Sequence, residues 1–545
     1  MVRMTGGQAI VRALKDNRVD TIFGIPGVQL DHFFNALYEE RNAIRFIQTR
    51  HEQGAGYMAF GYAQSSGRPG TCVVVPGPGF LNASAALATG YACNTPMVCV
   101  AGQLPLAQIG RGTGLLHELS DQLTVARVVA KWAERIEHPK SAPRLVNEAF
   151  RQAQTGRKRP AVVEAPLDIL VQAAAVAPLA PYALDAPAAP DPDLIEKAAD
   201  ILGRAMRPVI FAGGGVVGAE AELLELARML EAPVVMSRTS MGAVDHRSDY
   251  AHYLPVGHHV WPDIDAALAV GTRFQPQMAN WGRDDDLKIV RLDVDPMEIN
   301  RIGRPDVGIV ADARVGLAAL VDAVGRRNRK RASRLDERLA MRAWMDGECA
   351  KLEPQLSYVR ALRRALPENG LLVEDLTQVA YVARLAFPVY ASRTYITTGY
   401  QGTLGSSLAI AVGVKVANPD KPVLAISGDG GFMFTATELA TAVQHNVQLV
   451  HVIFNDNAFG NVQRMQVDLY GGKVIGTDLR NPDFVRLAES FGANAMRADS
   501  PDALEKAIGR AFGLAGPTVI EVPFGSVPDP WHLVRLGRAR PRKPS

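Results

Sequence analysis

Short runs rich in valine and isoleucine alternate along the chain with stretches whose apolar residues recur at helical spacing. This is the pattern of α/β folds built on parallel sheets. It falls into three blocks. In the first, a strand-like run from Asp20 to Ile25 stops at Pro26-Gly27, and another, Gly70 to Val75, stops at the turn Pro76 to Gly79. The middle block passes from a strand starting at Pro208 (PVIFAGGGV) through Gly213 to Gly215 into a helix over Ala219 to Leu230. In the third, Lys421 to Gly431 (KPVLAISGDGG) and Gln448 to Asn457 (QLVHVIFNDN) are apolar strands ending in polar, glycine-rich turns. A helix of about four turns is expected between them.

The dividers have their own chemistry. Val171 to Pro192 is dominated by Ala, Pro, Val and Leu, and its prolines oppose helix and central strand, so it reads as an extended linker. Arg326 to Arg334 (RRNRKRASR) is strongly basic and precedes a helical stretch reaching Leu352; it reads as a solvated connection. The expected architecture is three doubly wound parallel-sheet domains, 1-172, 191-335 and 356-528, followed by a tail, 529-545. In such sheets ligands bind beyond the carboxyl ends of the strands, so the glycine-rich strand ends are the places to look for chemistry.

Length agrees with that division, because single cores stop growing near about 250 to 300 residues and the chain has 545. With 48% hydrophobic and 21% charged residues it is neither disordered nor fibrous. A formal charge of +3 makes nucleic acid an unexpected partner, and the basic end Arg538 to Lys543 (RARPRK) reads as a solvated terminus. Cys72, Cys93, Cys99 and Cys349 lack metal-type spacing and read as buried thiols of a reducing compartment. Charges interrupt the N-terminus and no uncharged apolar run reaches ~18 residues, so neither a signal nor a membrane span is expected and the location is read as cytoplasmic.

The sharpest constellation lies in the third block. Neighbouring parallel strands would bring Asp429, in Gly428-Asp429-Gly430-Gly431, to the same edge as Asn455-Asp456-Asn457. Asp429 and Asp456 would then offer hard oxygens to Mg²⁺, and the glycines would let backbone N–H groups approach phosphates. This arrangement resembles the thiamine-diphosphate signature of a GDG followed by an asparagine pair. Arg50 to Ala63 (RHEQGAGYMAFGYA) is similar to the same superfamily's motif around its cofactor-activating glutamate. The resemblance covers nearly the whole chain, and is to the acetolactate synthase, benzoylformate decarboxylase and pyruvate oxidase superfamily, with pyrimidine-binding, central and pyrophosphate-binding domains.

That resemblance implies roles. Glu52 would sit against the cofactor's aminopyrimidine N1′ and share a proton with it. In Gly399 to Ser406 (GYQGTLGS), Leu404 would support the bent cofactor and the Gly402 carbonyl would accept from its 4′-amino group. Gln378 would reach the diphosphate, while Gly430 and Gly431 would supply backbone donors. Asp429, Asp456 and the main-chain carbonyl of Ala458 would hold the metal, Asn455 would support the turn, and Phe459 and Gly460 would complete it. Asp456 is a departure, standing where the family usually has its second asparagine, which adds a negative charge.

The cofactor's thiazolium carbon adds to a ketone or 2-oxo acid and takes up the electrons released by CO₂ loss or C–C cleavage. The implied activity is that of a lyase or transferase, a decarboxylase or carboligase acting on a small 2-oxo acid or ketone. Gly460 to Gln466 (GNVQRMQ) places Met465 where acetolactate synthases carry a tryptophan, and Gly271 to Gln277 (GTRFQPQ) replaces their flavin-associated RFDDR-like run, leaving FAD without support. Gln103 matches a family active-site glutamine, and Val28, Gln29 and the His117-Glu118 pair would lie near the reacting carbon, His117 as a proton shuttle. The adjacent His-His pair of pyruvate decarboxylases is missing. Glu52 of one subunit would meet the pyrophosphate domain of another, making a homodimer the minimum and a homotetramer the usual assembly, with Val527 to His532 (VPDPWH) as a lid. The competing readings are a catalytically silent sensor or regulatory homologue and a C–C hydrolase acting on a diketone.

Overall fold

Three six-stranded sheets follow one another in the computed structural model, which describes residues 1–329 and 331–540. Across the first sheet the strands are Arg45–Gln48, Thr21–Gly24, Gly70–Val74, Met97–Gln103, Ala161–Pro166 and Trp132–Arg135. Across the third they are Tyr395–Ile396, Leu371–Glu374, Val423–Gly428, Val450–Asn455, Thr518–Pro523 and Asn494–Arg497. Numbered in chain order within each sheet, both read 2-1-3-4-6-5. The middle sheet, Ala251–Tyr253, Val234–Met236, Pro208–Ala212, Ala266–Val270, Lys288–Asp293 and Val307–Val310, reads 3-2-1-4-5-6. Every pairing within the three sheets is parallel. Helices cover both faces, which is why PVIFA, AALAV and VLAIS are continuously apolar or small and buried.

The helices Glu52–Ser66 and Ser407–Ala417 cross where the first and third domains meet. A Cβ on Gly61 would stand 2.2 Å from the Ile410 carbonyl oxygen, and one on Gly413 would stand 1.9 Å from that of Met58. Only glycine allows this approach, and Met58, Phe60, Leu408 and Ile410 form one core with strands of the third sheet. Trp261, Trp281, Phe211 and Phe274 cluster in the middle domain and continue into the third domain through Met341, Leu362 and Phe387.

Four expectations change. The single helix after Asp429 is two, Asp429–Thr435 and Glu438–Gln444, because β-branched Thr435 and Thr437 flank the joint and the Thr435 hydroxyl donates to the Gly405 carbonyl. In the linker, Ala173–Val176 is an antiparallel partner of Val2–Thr5, since these residues precede the first proline, Pro178. The basic connection is solvated only in part: Arg326, Arg327 and Arg329 are exposed, while Arg331 and Arg334 strap it to the middle domain. Arg331 donates to the carbonyls of Leu202, Gly203 and Ala205, buried Arg334 to that of Pro208, and Arg326 and Arg327 bind Glu196. At the C-terminus Arg540 is buried and donates to the carbonyls of Pro262 and Ile264, because its guanidinium finds acceptors on the middle domain; the rest of that basic end, from Pro541, lies outside the described residues. No described helix is long and apolar enough to cross a membrane.

Candidate functional site

The third sheet aligns its site residues at one edge. Val423–Gly428 and Val450–Asn455 are neighbours in register, Gly428 opposite Phe454, so Asp429 and Asp456 emerge side by side. Burial, and then the adjacent Asp429 carboxylate, push the Asp456 carboxyl up to about 7. Two acids forced together without an arginine or lysine are the donor set a divalent cation would relieve. Among the described residues no cluster of three or more His, Cys, Asp or Glu could hold a metal. Any cation here would draw its other oxygens from main-chain carbonyls and a ligand's phosphates, as Mg²⁺ commonly does.

The turn beside these acids is clipped from a segment that carries no motif. Phe459 N–H donates to the Thr477 carbonyl and Leu479 N–H to that of Asn457, both at 2.8 Å, while Ala458 bridges Asp478. Asn481 donates to Asp429 at 2.5 Å and lies 3.1 Å from the Asn455 side-chain oxygen. Asn457 takes a left-handed φ of 54°, which asparagine tolerates. A Cβ on Gly460 would meet the Asp456 carboxylate at 2.3 Å and the Gln378 amide at 3.5 Å, so these three converge.

Gly430 and Gly431 have a packing reason beyond any role as donors. A Cβ on Gly430 would be 2.5 Å from the Phe459 ring, and one on Gly431 would be 3.2 Å from Leu404. Leu404 rises from a loop held by Asp375, another residue without a sequence signal. This buried carboxylate accepts from Gly405 N–H at 3.1 Å and Ser407 N–H at 3.2 Å, and burial raises its pKa. Gly402 and Gly405 take left-handed φ values of 60° and 80°.

The first sheet presents a different set at its corresponding edge. Glu52 opens the helix after Arg45–Gln48, with the His51 side chain capping Gln53 N–H at 3.1 Å. Half-buried Glu52 accepts from Asn82 at 3.0 Å, and a Cβ on Gly79 would stand 3.4 Å from its other oxygen. Gln103 is buried and committed, donating to Glu164 at 3.2 Å and accepting from Leu104 N–H at 2.7 Å. Gln122 joins the same Glu164, accepts from Gly77 N–H and donates to the Gly102 carbonyl, while Arg135 closes the network at 2.7 Å. His117 has a left-handed φ of 65° and lies 3.1 Å from Gln29. Within one chain, then, Glu52, Gln29, Gln103 and His117 share one edge, and Gln378, Leu404, Asp429 and Asp456 share another.

In the middle domain Gly213 and Gly215 face Gly271 backbone to backbone. Added Cβ atoms would lie 2.2 and 2.6 Å from Gly271 atoms. Arg273 donates to the Ala92 carbonyl and covers the Tyr400 ring, while Phe274 is buried. These residues are accounted for by packing.

Three family models match in order. They are described as the N-terminal TPP binding domain, the central domain and the C-terminal TPP binding domain of thiamine pyrophosphate enzymes, at residues 4–125, 195–320 and 375–522. A probable 2-ketoarginine decarboxylase of Pseudomonas aeruginosa is 34% identical, covering 95% of this chain and 94% of its own. A probable acetolactate synthase large subunit of Methanocaldococcus jannaschii is 32% identical over 95% and 92%. The acetolactate synthase large subunit of Corynebacterium glutamicum is 32% identical over 98% and 89%. Two edges of like topology, matched over these lengths by the two cofactor-binding domains, place the chain in the family of thiamine pyrophosphate-dependent enzymes that decarboxylate or ligate.

Proposed function

We propose that the protein uses thiamine diphosphate and Mg²⁺ to make or break a C–C bond adjacent to the carbonyl of a 2-oxo acid or related ketone. The observation that carries this is the Asp429–Asp456 pair, two neighbouring acids with no salt-bridge partner among the described residues, beside a glycine-bearing helix start. The cofactor would supply an electron sink for the carbon skeleton. Asp429, Asp456 and the Ala458 carbonyl would hold the metal, and Gln378 with Gly430 and Gly431 would face the diphosphate. Leu404 would brace the rings, the Gly402 carbonyl would accept from the amino group, and Glu52 would hold or release a proton at the pyrimidine. Asn455, Phe459 and Gly460 would shape the turn. Gln103 would act through the Glu164 network, and His117 would move a proton at the substrate.

The reading includes a homodimer, in which Glu52 of one chain meets the Asp429 edge of its partner, and a cytoplasmic location. The dimer is supported by exposed apolar residues at and just beyond the end of the helix Gly460–Tyr470, with Leu469, Tyr470 and Ile475 between 59% and 80% exposed. Met465, 3.5 Å from the Arg535 guanidinium, would stand at the acceptor end and would favour decarboxylation without acetolactate formation. Titration calorimetry on metal-stripped protein tests the reading. Thiamine diphosphate should bind with Mg²⁺ and at least ~10-fold more weakly without it, and a panel of 2-oxo acids, including guanidinium-tailed ones, should yield CO₂. Equal binding with and without the metal would overturn the metal site.

A further inference from the structure

Glu438 is 0% exposed and belongs to the third domain, yet its carboxylate is spent on the first. One oxygen accepts from His51 N–H at 3.0 Å and Arg50 N–H at 3.2 Å; the other accepts from Arg50 N–H at 3.2 Å and the Thr441 hydroxyl at 2.6 Å. Gly54 is glycine because a Cβ there would lie 2.2 Å from this carboxylate. The Arg50 guanidinium forms no salt bridge with it and hydrogen-bonds the Gln444 side chain at 2.8 Å, while its charge still favours the carboxylate from a distance. Further along, Gln48 N–H donates to the His445 ring at 3.1 Å and Arg45 to the His445 carbonyl at 3.3 Å. Residues 438–445 therefore form a polar seam along residues 45–51, the approach to Glu52.

A buried carboxylate with no salt bridge among the described residues is expensive, and apolar packing would join two domains at lower cost. Burial pushes the Glu438 carboxyl up, and its three donors oppose that. What the carboxylate provides that apolar packing does not is direction. It fixes the two peptide N–H groups immediately before Glu52, at the start of a helix whose positive end favours a negative charge. Misplacing a reacting group by about 1 Å can cost about 100-fold in rate, so an anchor one and two residues away has leverage.

Resting on the reading of Glu52 as the proton-holding residue, we propose that Glu438 is a positioning residue that sets the Glu52 carboxyl from the neighbouring domain. Glu438→Gln replaces one acceptor oxygen with a donor facing peptide N–H groups at nearly constant volume. It is expected to quicken amide exchange at residues 50–53 by at least 10-fold while leaving other helix starts unchanged. In the full chain loaded with thiamine diphosphate and Mg²⁺, it should slow exchange of the cofactor's C2 proton with D₂O by 10- to 100-fold, with cofactor Kd within 3-fold. The slowing should vanish when Glu438→Gln is combined with Glu52→Gln, because residues acting through one another are not additive. Unchanged amide exchange at 50–53, or an equal slowing in both backgrounds, overturns the proposal. If Glu52→Gln alone leaves C2 exchange at the wild-type rate, the reading of Glu52 has failed and the proposal with it, whereas the amide measurement reports on the anchor independently. Should Glu438→Gln not fold, Thr441→Val removes the side-chain donor from one oxygen of the carboxylate, leaving it only the Arg50 N–H, and should move both measurements about 3-fold in the same direction; no movement overturns the proposal.

Discussion

The first and third sheets have the same strand order and place their polar residues after the same strands. After strand one come Gln29 and Gln378; after strand two, Glu52 and the Leu404 loop; after strand three, the Pro76 to Gly79 turn and Asp429 to Gly431; after strand four, Gln103 and the Asn455 to Gly460 turn. Their chemistry differs. The first edge carries Glu52, which accepts from an amide, beside a glutamine-rich network whose buried Glu164 is matched by Arg135, which suits handling a proton. The third carries two carboxylates forced together, which suits holding a cation and the phosphates it brings. On the proposed reading one scaffold would serve two tasks, and strand-end side chains would decide which. The middle sheet, with a different order, spends its strand-end glycines on backbone contact.

If the halves divide labour in this way, their variants should fail differently. Glu52→Gln should lower turnover by between about 10²- and 10⁴-fold, the range of a lost acid–base group, while calorimetry still finds thiamine diphosphate bound; unchanged turnover would erase the distinction. Asp429→Ala should do the opposite, weakening Mg²⁺-dependent cofactor binding by about 100-fold, read by the same calorimetry. Asn481→Ala removes only the side chain that touches Asp429 and Asn455, and metal affinity should fall about 10-fold.

The smallest effect is a pH dependence confined to the third edge. With its folded pKa raised from the ordinary 3.8 to about 7, Asp456 keeps a proton in the metal-free fold that the unfolded chain releases. Its contribution to stability is fully present below about pH 4 and is lost as pH rises through about 7. Mg²⁺ must displace that proton, so the rise in Tm on adding Mg²⁺ should be larger at pH 8 than at pH 6, and Asp456→Asn should flatten the difference. A flat profile in the parent protein would mean the two acids do not share a cation.

Much of this was legible in the sequence because it is local. Strands ending in Pro26-Gly27, Pro76 to Gly79 and Gly428 to Gly431 announce themselves through residues adjacent in the chain, and their ends fall within a few residues of expectation. Asp375, Glu438 and Asn481 were not legible, since they act on partners 30, 387 and 52 residues away and none belongs to a run of unusual composition. The basic strap was misread in part, for a related reason. Arg331 looks solvated until the carbonyls of Leu202, Gly203 and Ala205, more than a hundred residues earlier, come into range.

The crossing of Gly61 over Ile410 and Gly413 over Met58 also limits how the molecule can move. Backbone laid on backbone, with no side chain to swing or compress, leaves the angle between first and third domains almost nothing to trade. Any breathing that admits substrate and releases product therefore has to be found in pieces held more lightly. The C-terminal end of the helix Gly460–Tyr470, exposed from Val467 to Tyr470, is the first place to look for it.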